Sequence, residues 1–102
     1  MTNGETRQLD RGIKEIEAVS RGLACKIRLQ ILTLLTRDKN EGLTVGEIKL
    51  TLNIPGSSLT HHLNHLKACA LVTQISEGRE IRCFLNGSTL RRYRENLGKV
   101  LI

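Results

Sequence analysis

Aromatic side chains are almost missing: Phe84 and Tyr93 are the only two among 102 residues. Proteins that hold single strands or RNA loops stack bases on several aromatic rings. That shortage favours duplex DNA over RNA as a nucleic-acid partner. Long apolar runs are missing too, with nothing near the ~18 residues of a membrane-spanning helix. Met1 to Asp10 is polar and lacks the apolar centre of a secretory signal. A cytoplasmic protein with no membrane partner is expected. The three cysteines, Cys25, Cys69 and Cys83, are far apart and odd in number. This excludes a disulfide framework and a C-x-x-C metal or redox motif. There is no nucleophile–base–acid set, Gly-rich phosphate loop or metal-ligand cluster. The chain is therefore not expected to be an enzyme or to carry a cofactor.

What is present is positive charge. The formal net charge is +6 and the sequence pI about 9.7. Such a balance favours polyanions, although plain solubility accounts for it equally well. Without repeats, low-complexity tracts or linkers, residues 1–102 form one domain. Apolar residues make up 39%, and a small chain with a modest core often gains stability by oligomerising.

Residues 1–8 read as a disordered start. Leu9, Ile13, Ile16, Val19 and Leu23 then recur at helical spacing, predicting a helix over 9–23. Residues 24–37 carry a wider apolar stripe, Ile27, Ile31, Leu32, Leu34 and Leu35, as in a helix buried on more than one side. Thr44-Val45-Gly46-Glu47 has the form of a capping box, in which hydroxyl and carboxylate each satisfy the other residue's backbone N–H. The helix it opens stops before Pro55, which disfavours helical geometry at Ile54. A second helix runs from about Gly56 to Ala70, with Leu59, Leu63, Leu66 and Ala70 inward.

Two short helices joined by a tight turn, here residues 44–70, form a helix-turn-helix. The second enters the major groove with its N-terminal side chains over base edges. Those side chains are Ser57, Ser58, Thr60 and His61. Over 71–86 the period falls to two, with Ile81, Cys83 and Leu85 sharing one face and Glu77-Gly78 as the turn. A hairpin directly after a recognition helix is a wing, and Arg79 at its tip is placed for a minor groove or phosphate. A last helix over 88–102 carries Leu90, Tyr93, Leu97, Val100 and Leu101 on one side.

These segments, in this order, resemble the ArsR family of winged-helix repressors. Leu23-Ala24-Cys25-Lys26-Ile27-Arg28-Leu29-Gln30-Ile31-Leu32 is similar to the family's L-A-D-P-T-R-L-R-I-L. Residues 43–48 continue the match. Ile54 to Leu63 is similar to L-S-Q-S-T-V-S-x-H-L, and the wing from Glu77 to Leu85 ends it. Pro55, Gly56 and Ala70 stand where the family has Ser, Gln and Gly. The resemblance implies a homodimer paired through residues 9–23 and 88–102, on a near-palindromic operator. It implies DNA contact through Ser57, Ser58, Thr60, His61 and the wing's Arg79.

The family's common sensor layouts are absent. Thr44 and Gly46 occupy the positions of the soft-metal C-x-C, and residues 88–102 hold no His, Asp or Cys. Cys25 starts the second helix, where a helix N-terminus can lower a thiol pKa, so a thiol or arsenite sensor stays open there. Cys69 and Cys83 read as small buried residues. His61, His65 and Cys69 share one helix stripe, but three turns of straight helix cannot wrap one tetrahedral ion. Lys67 and Arg79 are the basic residues best placed for phosphate, with Lys49 and Arg82 weaker candidates. Arg28 reads equally as a structural bracket.

The expectation is a mainly α winged helix-turn-helix, about five helices with a two-stranded wing. Its function is sequence-specific binding of double-stranded DNA as a homodimeric transcriptional repressor. The alternatives are a winged-helix interaction module without DNA binding, or a thiol- or arsenite-responsive repressor using Cys25. The inducer, if one exists, is not legible.

Overall fold

A computed structural model describes residues 3–102. The chain runs α1 (Asn3–Leu23), α2 (Lys26–Arg37), β1 (Leu43–Thr44), α3 (Val45–Leu52), α4 (Gly56–Ala68), β2 (Val72–Glu77), β3 (Glu80–Leu85) and α5 (Gly87–Leu101). The strands form an antiparallel sheet in the order β1-β3-β2. The result is a mainly α winged helix-turn-helix.

Apolar spacing explains where the core lies. Ile31 and Leu35 of α2, Ile48 of α3, Leu59 and Leu66 of α4, Leu71 and the β3 thiol Cys83 are all completely buried. Each such Leu or Ile is worth about 2 kcal/mol when fully buried. The junction of α2, α3, α4 and the sheet therefore holds the fold. Outside it, α1 and α5 pack together in a molecule 51 Å long and 23 Å wide. α1 presses closely on the end of α4 at Gly22, where a Cβ would come within 2.6 Å of the Cys69 sulfur.

The capping box forms. The Glu47 N–H donates to Thr44 Oγ1 and the Thr44 N–H donates to Glu47 Oε1, each at 3.1 Å. The Thr44 backbone bond, first among its causes, holds the Glu47 carboxyl below its ordinary pKa. α3 ends on Asn53 with φ 51°, and Pro55 opens α4.

The structure departs from the sequence reading in several places. The segment 3–8, expected to be disordered, is the exposed first turns of α1. No proline interrupts it, and Glu5 complements the helix N-terminus. Met1 and Thr2 lie outside the described residues. The sheet has a third strand: Leu43 and Thr44 pair with Cys83 and Arg82 before the capping box begins. The recognition helix ends at Ala68, so Ala70 is not on its inner stripe. Ala70 is exposed in the left-handed region, φ 60°, while the Leu71 N–H reaches back to the Leu66 carbonyl at 2.9 Å. The wing's turn is Gly78-Arg79 rather than Glu77-Gly78, because Glu77 and Glu80 still pair. Ile81 is 42% exposed although Cys83 on the same face is buried, since the hairpin tip projects beyond the core.

Candidate nucleic-acid interface

The buried stripe of α4, Leu59, Leu63 and Leu66, turns the opposite side of the helix outward. Ser57, Thr60, His61, Asn64 and Lys67 are exposed there, and Ser58 is half-buried. Pro55 is the N-cap and offers no side-chain bond to the first-turn amides. These N–H groups need an outside acceptor, and the positive end of the helix dipole favours an anion.

The wing reaches out beside α4. Gly78 takes φ 60° at the first central position of a two-residue turn, which leaves Arg79 exposed at the tip. Between helix and wing lies a concavity of about 460 Å³. Thr60, Asn64 and Lys67 line it from α4, and Gln74, Arg79, Glu80 and Ile81 from the wing. Three residues singled out in the sequence, Thr60, Lys67 and Arg79, thus meet on one surface. Ser57, Ser58 and His61 sit on the first two turns of α4, outside that lining. Asn64 and Gln74 escaped the sequence reading, although Asn64 falls four residues after Thr60 on the same helix face. Arg82 is no free phosphate ligand. Its Nε donates to Glu77 Oε1 at 2.6 Å and its Nη1 to the Glu41 carbonyl at 3.1 Å.

The sequence matches the profile described as "Bacterial regulatory protein, arsR family" over residues 25–74, the span from α2 into the wing. These residues are an ArsR-family helix-turn-helix. An ArsR-like transcriptional regulator from Rhodococcus is similar in structure, with 28% identity, a TM-score of 0.76, and coverage of 86% of this chain and 80% of that one. HlyU from Vibrio vulnificus, a transcriptional regulator, shares 25% identity with a TM-score of 0.67, over 89% of this chain and 93% of that one. The homodimeric winged helix-turn-helix DNA-binding domain of a Mycobacterium bovis protein shares 24% identity with a TM-score of 0.71, over 99% of this chain and 86% of that one. No curated protein matches by sequence.

Behind the exposed face, the chain anchors α4 through Arg28. The guanidinium is buried; its Nε donates to the Gly22 carbonyl at 2.8 Å and its Nη2 to the Arg21 carbonyl at 3.0 Å. Its Nη1 lies 3.2 Å from Nδ1 of His62 on α4. A guanidinium only donates, so Nδ1 is the acceptor and the ring is neutral. Burial, and then the Arg28 charge, hold the His62 pKa below its ordinary value. Arg28 is thus the bracket between the end of α1 and the recognition helix.

Cys25 sits at the same junction. It is the N-cap of α2, and its sulfur lies 3.9 Å from His62 Nδ1. The Arg28 backbone N–H, above all, lowers its thiol pKa. Burial instead pushes the Cys83 thiol up, and the Cys69 thiol donates to the Leu66 carbonyl at 3.4 Å. His65 is half-buried and its Nδ1 has no partner among the described residues. Among the described residues, no group of three or more His, Cys, Asp or Glu side chains is placed to hold a metal ion. No helix among them is long and apolar enough to cross a membrane.

Proposed function

We propose that this transcriptional regulator is a homodimeric repressor that binds a near-palindromic operator in double-stranded DNA. The observation that carries the reading is the concavity where Thr60, Asn64 and Lys67 of α4 face Arg79 of the wing. With α4 in a major groove and the wing tip at the next minor groove, the strand between the grooves crosses that concavity. Ser57, Ser58, Thr60 and His61 then lie over base edges, and Lys67 and Arg79 neutralise phosphate.

The dimer is supported by apolar surface that a monomer leaves wet. Ile13 of α1 is 51% exposed and Leu101 of α5 is 70% exposed. Pairing through these helices sets two recognition helices on half-sites about 10 base pairs apart, or a multiple of that. The Mycobacterium bovis domain is homodimeric, which favours the same assembly here. The protein acts in the cytoplasm, where its operator is.

Fluorescence anisotropy on duplex from the protein's own promoter, against scrambled duplex at two salt concentrations, tests this. A preference for the native duplex of ~10³-fold or more is expected. Equal, weak, salt-sensitive binding to both would reject it in favour of an interaction module.

One observation favours a thiol-responsive form of this reading: the Cys25 sulfur lies 3.9 Å from His62 of the recognition helix. Alkylating Cys25 would then weaken operator binding, and a Cys25→Ser variant would ignore the reagent.

A further inference from the structure

A second cavity, of about 200 Å³, lies between α1, α5 and the C-terminal end of α4. Ala18 and Val19 of α1, Ala68 of α4 and the Tyr93 ring give it apolar walls. Its lining also carries both signs of charge. Glu15 Oε2 accepts from Asn96 Nδ2 at 2.8 Å, which fixes the carboxylate at the cavity. Arg92 pairs with no carboxylate among the described residues. A fixed carboxylate and an unpaired guanidinium around an apolar floor complement a molecule with an ammonium, a carboxylate and a hydrocarbon group. An apolar cavity of ~150 Å³ admits benzene, so this one has room for valine or leucine.

We propose that this cavity binds a free α-amino acid with an aliphatic side chain. Its carboxylate lies on Arg92, its ammonium on Glu15, and its side chain against Val19 and Ala68. The cavity is also lined by Cys69 and Ala70, where the recognition helix ends. The Ala70 carbonyl is held by the Thr89 hydroxyl of α5 at 2.6 Å. A ligand here touches the dimerising helices and the end of the recognition helix together, so it changes operator affinity. That second step rests on the DNA-binding reading; the site itself does not.

Calorimetric titration of the full chain with L-leucine, 4-methylpentanoate and isopentylamine tests the site. Leucine is expected to bind and to raise the melting temperature, because the ligand stabilises the folded state. 4-Methylpentanoate lacks the ammonium and isopentylamine the carboxylate, and each should bind about tenfold weaker or worse. Arg92→Gln alters an exposed side chain, so the fold survives, and leucine binding should fall by a similar factor. No heat and no melting shift with leucine would overturn the proposal. So would equal binding of either analogue, or an Arg92→Gln variant that binds leucine undiminished. In the anisotropy assay, leucine should change duplex affinity for the parent chain and not for Arg92→Gln. Unchanged duplex affinity with leucine bound would overturn the coupling. A chain that binds leucine but no duplex would reject the DNA reading and leave the amino-acid site standing.

Discussion

The Thr89 hydroxyl donates to the Ala70 carbonyl at 2.6 Å, tying the last helix to the residue just past the recognition helix. Thr89 is 3% exposed, so the donor end of this bond is shielded from water. Ala70 meets it in the left-handed region, with φ 60°. An L-residue with a Cβ is strained there by about 1 kcal/mol, and glycine is not. Ala70→Gly should therefore stabilise the protein by about 1 kcal/mol, raising the melting temperature by about 4–8 °C. A calorimetric scan checks this. A lower melting temperature would mean that Ala70 contributes packing beyond its backbone conformation.

Arg28 offers the opposite case. Arg28→Met keeps the bulk but leaves the Gly22 and Arg21 carbonyls and His62 Nδ1 without their donor. A buried hydrogen bond to a charged group contributes about 1.5–3 kcal/mol; only the Gly22 bond is fully buried and water can reach the other two acceptors, so a total loss of about 3 kcal/mol is expected. Urea unfolding measures it. Operator affinity should fall as well, because α4 loses its anchor to the end of α1.

His62 makes stability depend on pH in a definite direction. Its folded pKa lies below the unfolded value, so the unfolded chain binds its proton first. The stabilisation is fully present above the unfolded pKa of about 6.5 and is lost as pH falls through the lower, folded one. Denaturation midpoints should drop as pH falls below about 6.5, and His62→Gln should flatten that slope. An unchanged slope would show that other groups carry it.

Two of the three thiols should react in a fixed order. Cys25 is partly exposed, with its thiol pKa lowered by the Arg28 N–H, whereas Cys83 is buried with its thiol pKa raised. At neutral pH, iodoacetamide should label Cys25 well before Cys83, as read by peptide mass spectrometry. Labelling of Cys83 first would mean that the wing opens away from the core.

The two wing arginines separate by role. Arg79→Ala should weaken duplex binding and lower the slope of log affinity against log salt by about 0.9, the value for one phosphate. Arg82→Gln should leave the slope within error, because its guanidinium is occupied by Glu77 and the Glu41 carbonyl. Equal effects on the slope would place both at phosphate.

Elements held by local chemistry were readable in advance. The capping box needs only Thr44 and Glu47, and it formed as expected. The inward face of α4 follows from Leu59, Leu63 and Leu66 at helical spacing. Features set by distant partners were not readable. β1 is two residues long and exists because Leu43 meets Cys83 across forty residues of chain. The fate of Arg82 depends on the hairpin register and on where residue 41 lands. Ala70 looked like one more apolar residue on a helical stripe, and only its place at the family's Gly pointed to a helix end there. At the candidate interface, α4 and the wing tip were identified separately, and their shared concavity belongs only to the folded chain.

Thr44 has two duties: it closes β1 against Arg82 of the wing's central strand, and it caps α3. The wing is thereby fastened to the first helix of the motif through the residue that caps it, not hung from a pliable linker. The gap between the Arg79 tip and the recognition helix behaves as the jaw of a rigid caliper. On the proposed operator it would set how far apart two contacts on one half-site can lie, and a duplex that did not fit the gap would itself have to bend.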